Sequence, residues 1–301
     1  MAEEIMQPKW LVDKLIPSAG ITIISGDPGS YKTWLLMEIA RCVSQGEKLF
    51  GTFDCTQGNV LVIDEENNTR LLKERYALLG VKADASIFLS IRNSFQVETD
   101  MDDLLNLVKE KQIKLVCIDS LVRIHGKEEN VAGQMAEVFA FLSQLTALGV
   151  TVIMTHHLKK ASAGTSNADL RGSSDILAAI DCHLAVRKTK LSSSLVISQS
   201  KMRVATEMSP ISLSIGSDAN KFQFAIDSFL EPEKSVHEQA IEQILGLLAS
   251  GEISRKELVK SVTNLVGSNA VGRLLKKLVK DGSIQLIKEE NGKHIYRLTK
   301  S

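Results

Sequence analysis

Eight consecutive residues near the N-terminus have the types and spacing of a phosphate-binding loop. They follow a β-branched run at 21–25 and precede a helical pattern at 32–43. Glycines let a loop turn its backbone N–H groups toward phosphate oxygens, and the start of a helix adds positive potential. We therefore predict a nucleotide site here. The predicted binding residues are Gly26, Asp27, Pro28, Gly29, Ser30, Tyr31, Lys32 and Thr33.

Three side chains of this loop carry specific expectations. Lys32 is expected to contact the β- and γ-phosphates of ATP, and the Thr33 hydroxyl is expected to bind Mg²⁺. Tyr31 departs from the usual pattern, because glycine normally precedes the lysine. A tyrosine with positive φ would be strained, so we expect Tyr31 to keep a negative φ. Its ring should then lie over the loop or against a neighbour.

An acid at the end of a later apolar run completes the predicted metal site. Asp119 follows the strand-like run 114–118. In P-loop proteins such an aspartate holds the Mg²⁺ shell, so Thr33 and Asp119 are the predicted metal ligands. Taken alone, Asp119 could equally be a polar turn residue at the end of a buried strand.

Three further acids follow the run 59–63, directly after the helix of the phosphate loop. A carboxylate there could polarise the water that attacks the γ-phosphate. Glu66 is our preferred candidate, and Glu65 and Asp64 remain alternatives. The competing interpretation is an acidic cluster at the start of the next helix, where negative charge is favourable in any case.

The elements that must position these residues alternate between strands and helices. Continuous apolar strands separated by helices predict an α/β fold with a mainly parallel sheet covered on both faces. From about 182 the strands follow one another without helices, which predicts an antiparallel extension. The expected strands are 21–25, 59–63, 114–118, 150–154, 183–187, 194–198, 211–215 and 222–226, and the helices are 32–43, 68–79, 99–111 and 130–147.

A short charged segment with a proline, 231–234, predicts a domain boundary. We therefore expect a P-loop ATPase domain at 1–230 and a small domain at 235–301. The small domain contains 11 lysines and arginines against 7 acids, a net charge of +4, although the whole chain is neutral. A cationic appendage suggests a polyanionic partner, and a solvated charged surface is the alternative.

The small domain has three helical patterns followed by two strands. The helices are expected at 236–249, from a capping box at Ser254 to 259, and at 268–280. Strands at 283–288 and 293–298 flank an Asn-Gly hairpin signal. This order resembles a winged helix-turn-helix, which implies duplex DNA contacts from one helix face and from the wing. Protein contacts or oligomerisation are the alternative. The implied contact residues are Asn269, Arg273, Lys276, Lys280 and Lys293.

The order of phosphate loop, strand-end Glu66, strand-end Asp119 and a strand ending in two histidines resembles the RecA-like P-loop ATPases. Within them the chain is similar to the RepA/DnaB-type hexameric helicases (AAA_25-like) over about 8–228. The lead-in 10–17 and the segment 155–160 carry this likeness.

That resemblance implies further roles. His157, or else His156, would sense the γ-phosphate. Lys159 and Lys160 would line a channel that holds single-stranded DNA, and Arg171 could organise the same loop.

The resemblance also implies a homo-oligomeric ring, expected to be a hexamer, with ATP between subunits. A neighbour would then supply Lys201 and Arg203 to the site, with Arg187 as the rival candidate. The implied function is an ATP-driven DNA helicase or translocase in replication of a plasmid, phage or mobile element. An ATP-switched DNA-binding regulator or loader and a RecA-like recombination accessory ATPase are the alternatives.

Composition restricts the remaining classes. No apolar run approaches the roughly 18 residues that a membrane span needs, and the acidic N-terminus is unlike a signal peptide. We therefore expect a cytoplasmic protein. The 4 cysteines are far apart and none forms a CxxC pair, so we expect neither a zinc site nor disulfides.

Overall fold

The apolar runs form one nine-stranded sheet in the first of two units, Met1–Glu231 and Pro232–Ser301. This computed structural model describes residues 7–90, 94–129, 131–157, 174–189, 193–231, 236–288 and 294–299. The strands of the first unit are β1 (Trp10–Val12), β2 (Ile16–Pro17), β3 (Ile21–Gly26), β4 (Asn59–Asp64), β5 (Ile87–Ser90), β6 (Ile113–Asp119), β7 (Thr151–His157), β8 (Cys182–Lys188), β9 (Ser194–Met202), β10 (Ile211–Ser217) and β11 (Phe222–Phe229).

Five α-helices connect these strands. They are α1 (Lys32–Gln45), α2 (Thr69–Leu78), α3 (Val97–Glu110), α4 (Ala132–Ala147) and α5 (Ser174–Ala179), and a short 3₁₀ turn covers Leu121–Arg123. No helix in the described part of the chain is both long and apolar enough to cross a bilayer.

The sheet has the order β11-β10-β9-β8-β3-β7-β6-β4-β5. The strands from β8 to β5 are parallel, and β9, β10 and β11 extend the sheet in antiparallel pairs. The predicted α/β class with an antiparallel extension is therefore confirmed. The register aligns Asp64 with Asp119 and Gly26 with His157 at one edge. The predicted site residues on four strands thus share the carboxyl edge of the sheet.

Helices cover both faces of the parallel strands. The buried side chains of α1 and α2, such as Ile39 and Leu72, pack against one face. Those of α3, α4 and α5, such as Leu104 and Leu142, pack against the other. Since both faces are buried, these strands are continuously apolar instead of alternating.

Several short elements escaped the sequence analysis. The pairs β1 and β2 and the four-residue β5 are too short for a periodic signal, and α5 has only six residues. The segment 10–17, which carried part of the family resemblance, forms the antiparallel β1–β2 pair. The edge strand β5 completes the parallel part of the sheet beside β4.

The second unit contains α6 (Val236–Ala249), β12 (Ile253–Ser254), α7 (Arg255–Val262), α8 (Ser268–Lys280), β13 (Ile284–Lys288) and β14 (His294–Leu298). Its antiparallel sheet has the order β12-β14-β13. The predicted helices and strands are present, with the capping box between Ser254 and Glu257 at the start of α7. The assignment of this unit to the winged-helix class stays a prediction.

Candidate active site

The phosphate loop connects β3 to α1, and two of its glycines are there for different reasons. A Cβ on Gly26 would lie 2.4 Å from the Val186 carbonyl oxygen and 2.6 Å from Ser30 Oγ. Gly29 has φ +76° in open space. Gly26 is therefore required by the close approach of β8, whereas Gly29 is required by its left-handed backbone.

Tyr31 also has a left-handed backbone, with φ 66° and ψ 19°. The expectation of a negative φ was wrong, because Tyr31 is the residue where the loop reverses into α1 and glycine's usual conformation is kept. The expectation for the ring is met by two neighbours: it lies against Phe222 of β11, with Lys188 Nζ 5.2 Å above it.

Lys32 is folded back onto the loop that it is expected to serve. Its Nζ donates to the carbonyl oxygens of Gly26 at 2.8 Å and Asp27 at 2.9 Å. Burial lowers the pKa of Lys32, and the nearby acids Asp119 and Glu66 oppose that shift. Lys32 must exchange its two carbonyl partners for phosphate oxygens when a nucleotide binds.

Asp119 is enclosed by two hydroxyl groups at the end of β6. Thr33 Oγ1 donates to Asp119 Oδ2 at 2.7 Å, and Thr155 Oγ1 of β7 donates to Oδ1. Asp119 is buried, and this burial raises the pKa of its carboxyl group, while the two threonines act against the shift. The structure brings the predicted metal ligands Thr33 and Asp119 into direct contact.

This pair fits Mg²⁺ by the chemistry of its donors. Mg²⁺ prefers oxygen ligands and in nucleotide sites takes only one or two from protein, with the rest from phosphates and water. A buried carboxylate beside a hydroxyl group, Asp119 beside Thr33, meets that requirement. The described residues contain no cluster of three or more acids, histidines and cysteines that could bind a metal without phosphates.

The three acids after β4 point in different directions. Glu66 Oε1 accepts a hydrogen bond from Ser120 Oγ at 2.6 Å and lies 3.7 Å from His157 Nε2. Arg123 Nε is 4.0 Å from the same oxygen. Glu66 therefore faces the open space between β4, β6 and β7, and its charge reaches Lys32.

The two rival acids are engaged elsewhere. Asp64 Oδ1 accepts from the backbone N–H groups of Glu66 and Asn67, so it holds the turn after β4 together. Glu65 Oε1 accepts from the Phe95 N–H at 3.2 Å, on the side of α3. Burial raises the pKa of both carboxyl groups. This arrangement favours Glu66 as the acid nearest to a reacting water.

The two histidines at the end of β7 differ in exposure. His157 is 43% exposed and approaches Glu66. His156 is buried, with Nδ1 3.4 Å from Glu129 Oε1 on the other side. Between the two, His157 is the one that faces the acid cluster.

Lys201 and Arg203 lie at the opposite edge of the sheet from the phosphate loop of their own chain. Met202 pairs with Cys182, which pairs with Thr22 at the start of β3. Lys201 Nζ donates to the carbonyl oxygen of Leu177, and Arg203 donates to that of Ala178 at 2.6 Å.

This placement has two consequences. Lys201 and Arg203 stabilise the C-terminal end of α5 within the chain. They cannot reach its own phosphate loop, so a role at a nucleotide would require another subunit. Arg187, by contrast, follows Val186, whose carbonyl contacts Gly26 beside that loop.

The predicted nucleic-acid residues are only partly covered. Lys159, Lys160, Arg171, Lys293 and the Asn-Gly turn lie outside the described residues. On α8 the remaining four share one exposed face, opposite the buried Val271 and Leu275. They are Asn269, Arg273, Lys276 and Lys280.

Sequence reasoning missed three residues that touch the site. Ser120 directly follows Asp119, Arg123 ends the next turn, and Thr155 directly precedes the paired histidines. Hydroxyl groups beside strand-end acids are a usable signal for Ser120 and Thr155, whereas nothing in the spacing singles out Arg123.

Comparison with known proteins defines the class and the family. A family model described as AAA domain, AAA_25, matches residues 1–163, more than half of the chain, so the chain belongs to this family. Together with the phosphate loop and its strand-end acids, this makes the chain a RecA-like P-loop ATPase, as predicted.

Three solved structures share the fold. One is an isolated ATPase domain that is 13% identical, with a TM-score of 0.55 over 71% of this chain and 85% of that one. A DnaB-like replicative helicase is 13% identical, with a TM-score of 0.50 over 68% of this chain and 58% of that one. The flagellar accessory protein FlaH from Methanocaldococcus jannaschii is 15% identical, with a TM-score of 0.51 over 71% and 91%.

Proposed function

We propose that the protein is an ATP-hydrolysing, ring-forming DNA helicase or translocase of RepA type that acts in the replication of a plasmid, phage or mobile element. The observation that carries the proposal is the convergence of Lys32, Asp119 and Glu66 at one sheet edge of a RecA-like ATPase. The fold shared with a DnaB-like replicative helicase supports the helicase class.

In the proposed reaction, a water oxygen attacks the γ-phosphorus of ATP, and the bond to the β–γ bridging oxygen breaks. Glu66 accepts the proton of that water, and Ser120 orients the carboxylate through its hydrogen bond. Lys32 stabilises charge on the phosphate oxygens. Bound Mg²⁺, held by Thr33 and Asp119, would neutralise charge on the same oxygens.

His157 is proposed to report whether the γ-phosphate is present. It lies 3.7 Å from Glu66 and is exposed at the end of β7. The segment that follows contains Lys159 and Lys160, which we propose contact single-stranded DNA in the ring. Through β7, loss of the γ-phosphate would change the position of the DNA contacts.

Lys201 and Arg203 are proposed to complete the site of a neighbouring subunit. Their position at the edge opposite the phosphate loop supports a contribution in trans. A cation supplied in this way stabilises charge in the transition state and typically contributes about 10³-fold or more in rate. A hexameric ring with ATP between subunits is the assembly we propose.

The test measures ATP hydrolysis with and without single-stranded DNA, together with displacement of a labelled strand. We expect DNA to raise the hydrolysis rate and ATP to drive displacement. Mixing Arg203→Ala subunits with Lys32→Ala subunits should restore part of the hydrolysis that each lacks alone, because one supplies the loop and the other the cation. A protein that hydrolyses ATP without any response to DNA, and displaces no strand, would contradict the proposal.

A second candidate is an ATP-switched regulator or loader that binds duplex DNA. The observation that favours it is the exposed polar face of α8 with Arg273, Lys276 and Lys280. It predicts slow ATP turnover and duplex binding that Arg273→Glu with Lys276→Glu abolishes. Lys256→Glu, an exposed cation on α7, is the matched control. Rapid ATP-driven movement along single strands would contradict this candidate.

A further inference from the structure

Tyr31 is the residue of the phosphate loop that its backbone suits least. Its φ of 66° belongs to the left-handed region, where a side chain with a Cβ is disfavoured and glycine is not. Its carbonyl oxygen accepts the Leu35 N–H at 2.9 Å, so the strained residue is also the start of α1. Lys32 and Thr33 follow directly. Something other than intrinsic preference must therefore hold the loop in this conformation.

The ring of Tyr31 has the contacts that could do so. Its centroid lies 6.1 Å from that of Phe222, at the start of β11, with the planes tilted by 36°. Lys188, which ends β8, places Nζ 5.2 Å from the ring centroid. On the other side Trp34 stacks on Phe222 with 3.9 Å between centroids and 14° between planes. Phe222 is thus shared by the loop and by the first turn of α1.

We propose that Tyr31 is a positioning residue whose ring, clamped by Phe222 and Lys188, keeps the phosphate loop in its phosphate-binding conformation. The clamp replaces the conformational freedom that glycine gives other loops of this type. This inference deepens the proposed ATP site and rests on it. It makes the affinity for ATP depend on the β10–β11 pair, which lies about 190 residues further along the chain.

The physical argument compares the two backbone states of residue 31. Without its ring contacts, an L-residue gains free energy by leaving the left-handed region, and that rotation turns the following peptide N–H away from its place in the loop. Lys32 and Thr33 would lose their alignment with the phosphates. A glycine at position 31 has no such preference, so the same loop would no longer need Phe222.

The experiment is a double-mutant cycle in the full chain, with binding of a fluorescent ATP analogue and Mg²⁺ as the readout. Phe222→Leu keeps apolar bulk and should weaken binding about tenfold when residue 31 is tyrosine, the equivalent of the usual left-handed penalty. In the Tyr31→Gly background the same change should matter less than about twofold. An equal loss in both backgrounds would overturn the proposal.

A second variant guards against loss of folding. Lys188 is exposed, so Lys188→Gln should leave the core intact and still weaken binding about two- to fivefold, but only with tyrosine at position 31. Tyr31→Phe should recover most of the affinity that Tyr31→Ala loses, because the ring and not the hydroxyl makes the contacts. Phe224→Leu is the matched control, since Phe224 is equally buried on β11 but packs on Phe50 and Phe222.

A spectroscopic readout separates the clamp from the ATP site itself. The chain has two tryptophans, so Trp10→Phe leaves Trp34 as the only reporter. ATP binding should change Trp34 emission, and Phe222→Leu should reduce that change. Failure of the parent protein to bind ATP would refute the proposed function. Binding with no coupling between residues 31 and 222 would refute the clamp alone.

Discussion

Asp119 and Glu66 end neighbouring parallel strands of one site, yet protein encloses only the first. Asp119 is 3% exposed and receives hydrogen bonds from Thr33 and Thr155. Glu66 is 27% exposed and has one hydroxyl donor beside two more loosely placed cationic side chains. The buried side of the site fixes the loop and the metal ligands, whereas the open side leaves room for water. Changes on the buried side should therefore alter both stability and rate, and changes on the open side should alter rate alone.

The largest effect is expected at Lys32, which contacts both sides electrostatically. Lys32→Met should lower ATP hydrolysis by about 10³-fold, because a buried cation that faces the phosphates is lost. ATP binding measured by calorimetry should weaken as well. The same substitution at Lys82, an exposed lysine at the surface ion pair with Glu47, should leave hydrolysis unchanged.

Asp119→Asn should lower hydrolysis by about 10²-fold and raise the Mg²⁺ concentration needed for activity. Its effect on stability should have the opposite sign. Burial and the neighbouring acids Asp64 and Glu66 raise the pKa of Asp119, so the ionised form at neutral pH destabilises the nucleotide-free protein. Thermal unfolding without nucleotide should therefore shift upward in the variant.

The control for that prediction is the pH at which unfolding is measured. A raised pKa in the folded state means that the stability is present at low pH and is lost as the pH rises through the folded pKa. The advantage of Asp119→Asn over the parent protein should thus shrink as the pH falls. A variant that is less stable than the parent at neutral pH would show that Asp119 is held by favourable interactions that outweigh its burial.

His183 provides a test of the buried side that involves no nucleotide. It bonds Ser25 Oγ at 2.6 Å and Ser200 Oγ, and burial, with a contribution from His156, lowers its pKa to about 4. The unfolded chain takes up the proton near pH 6.5. The stability that His183 contributes is therefore complete above pH 6.5 and is lost as the pH falls toward 4, by up to about 3 kcal/mol.

Urea unfolding between pH 7 and 4.5 measures this effect, with His183→Gln as the variant. The variant should lose less stability over that interval than the parent protein. His157→Gln, at the exposed end of β7, should follow the parent closely. Parallel curves for the parent and His183→Gln would mean that the buried histidine does not govern stability in acid.

The smallest effect is expected from His157 on the open side. His157→Asn should lower the rate of hydrolysis about tenfold, the value of one hydrogen bond to a charged group, with little change in the KM for ATP. Unfolding should be unaffected because the side chain is 43% exposed. A large loss of stability in this variant would remove the contrast between the two sides.

The same contrast explains what the sequence could predict. Strand-end acids after continuous apolar runs are visible locally, so Asp119, Glu66 and the parallel sheet could be predicted from the residues alone. The choice among Asp64, Glu65 and Glu66 could not, because it depends on the Phe95 N–H that occupies Glu65 and on Ser120 beside Glu66. Those partners come from other elements, at separations that no periodic pattern encodes.

Tyr31 shows a different reason for failure. Its type predicts a negative φ, and the left-handed conformation is maintained only together with Phe222, which lies 191 positions later. A local rule about backbone strain was overridden by a long-range ring contact. The short strand β5 was missed for the simpler reason that four residues are too few for a pattern.

The most direct test of the account is single-turnover ATP hydrolysis by Glu66→Gln and Glu65→Gln, two equal-sized changes at adjacent residues. Glutamine keeps the acceptor oxygen at both positions but removes the proton-accepting carboxylate. We predict that Glu66→Gln binds ATP and hydrolyses it about 10³-fold more slowly, whereas Glu65→Gln stays within a few fold of the parent. Loss of hydrolysis in Glu65→Gln with normal turnover in Glu66→Gln would contradict the assignment of Glu66 as the base.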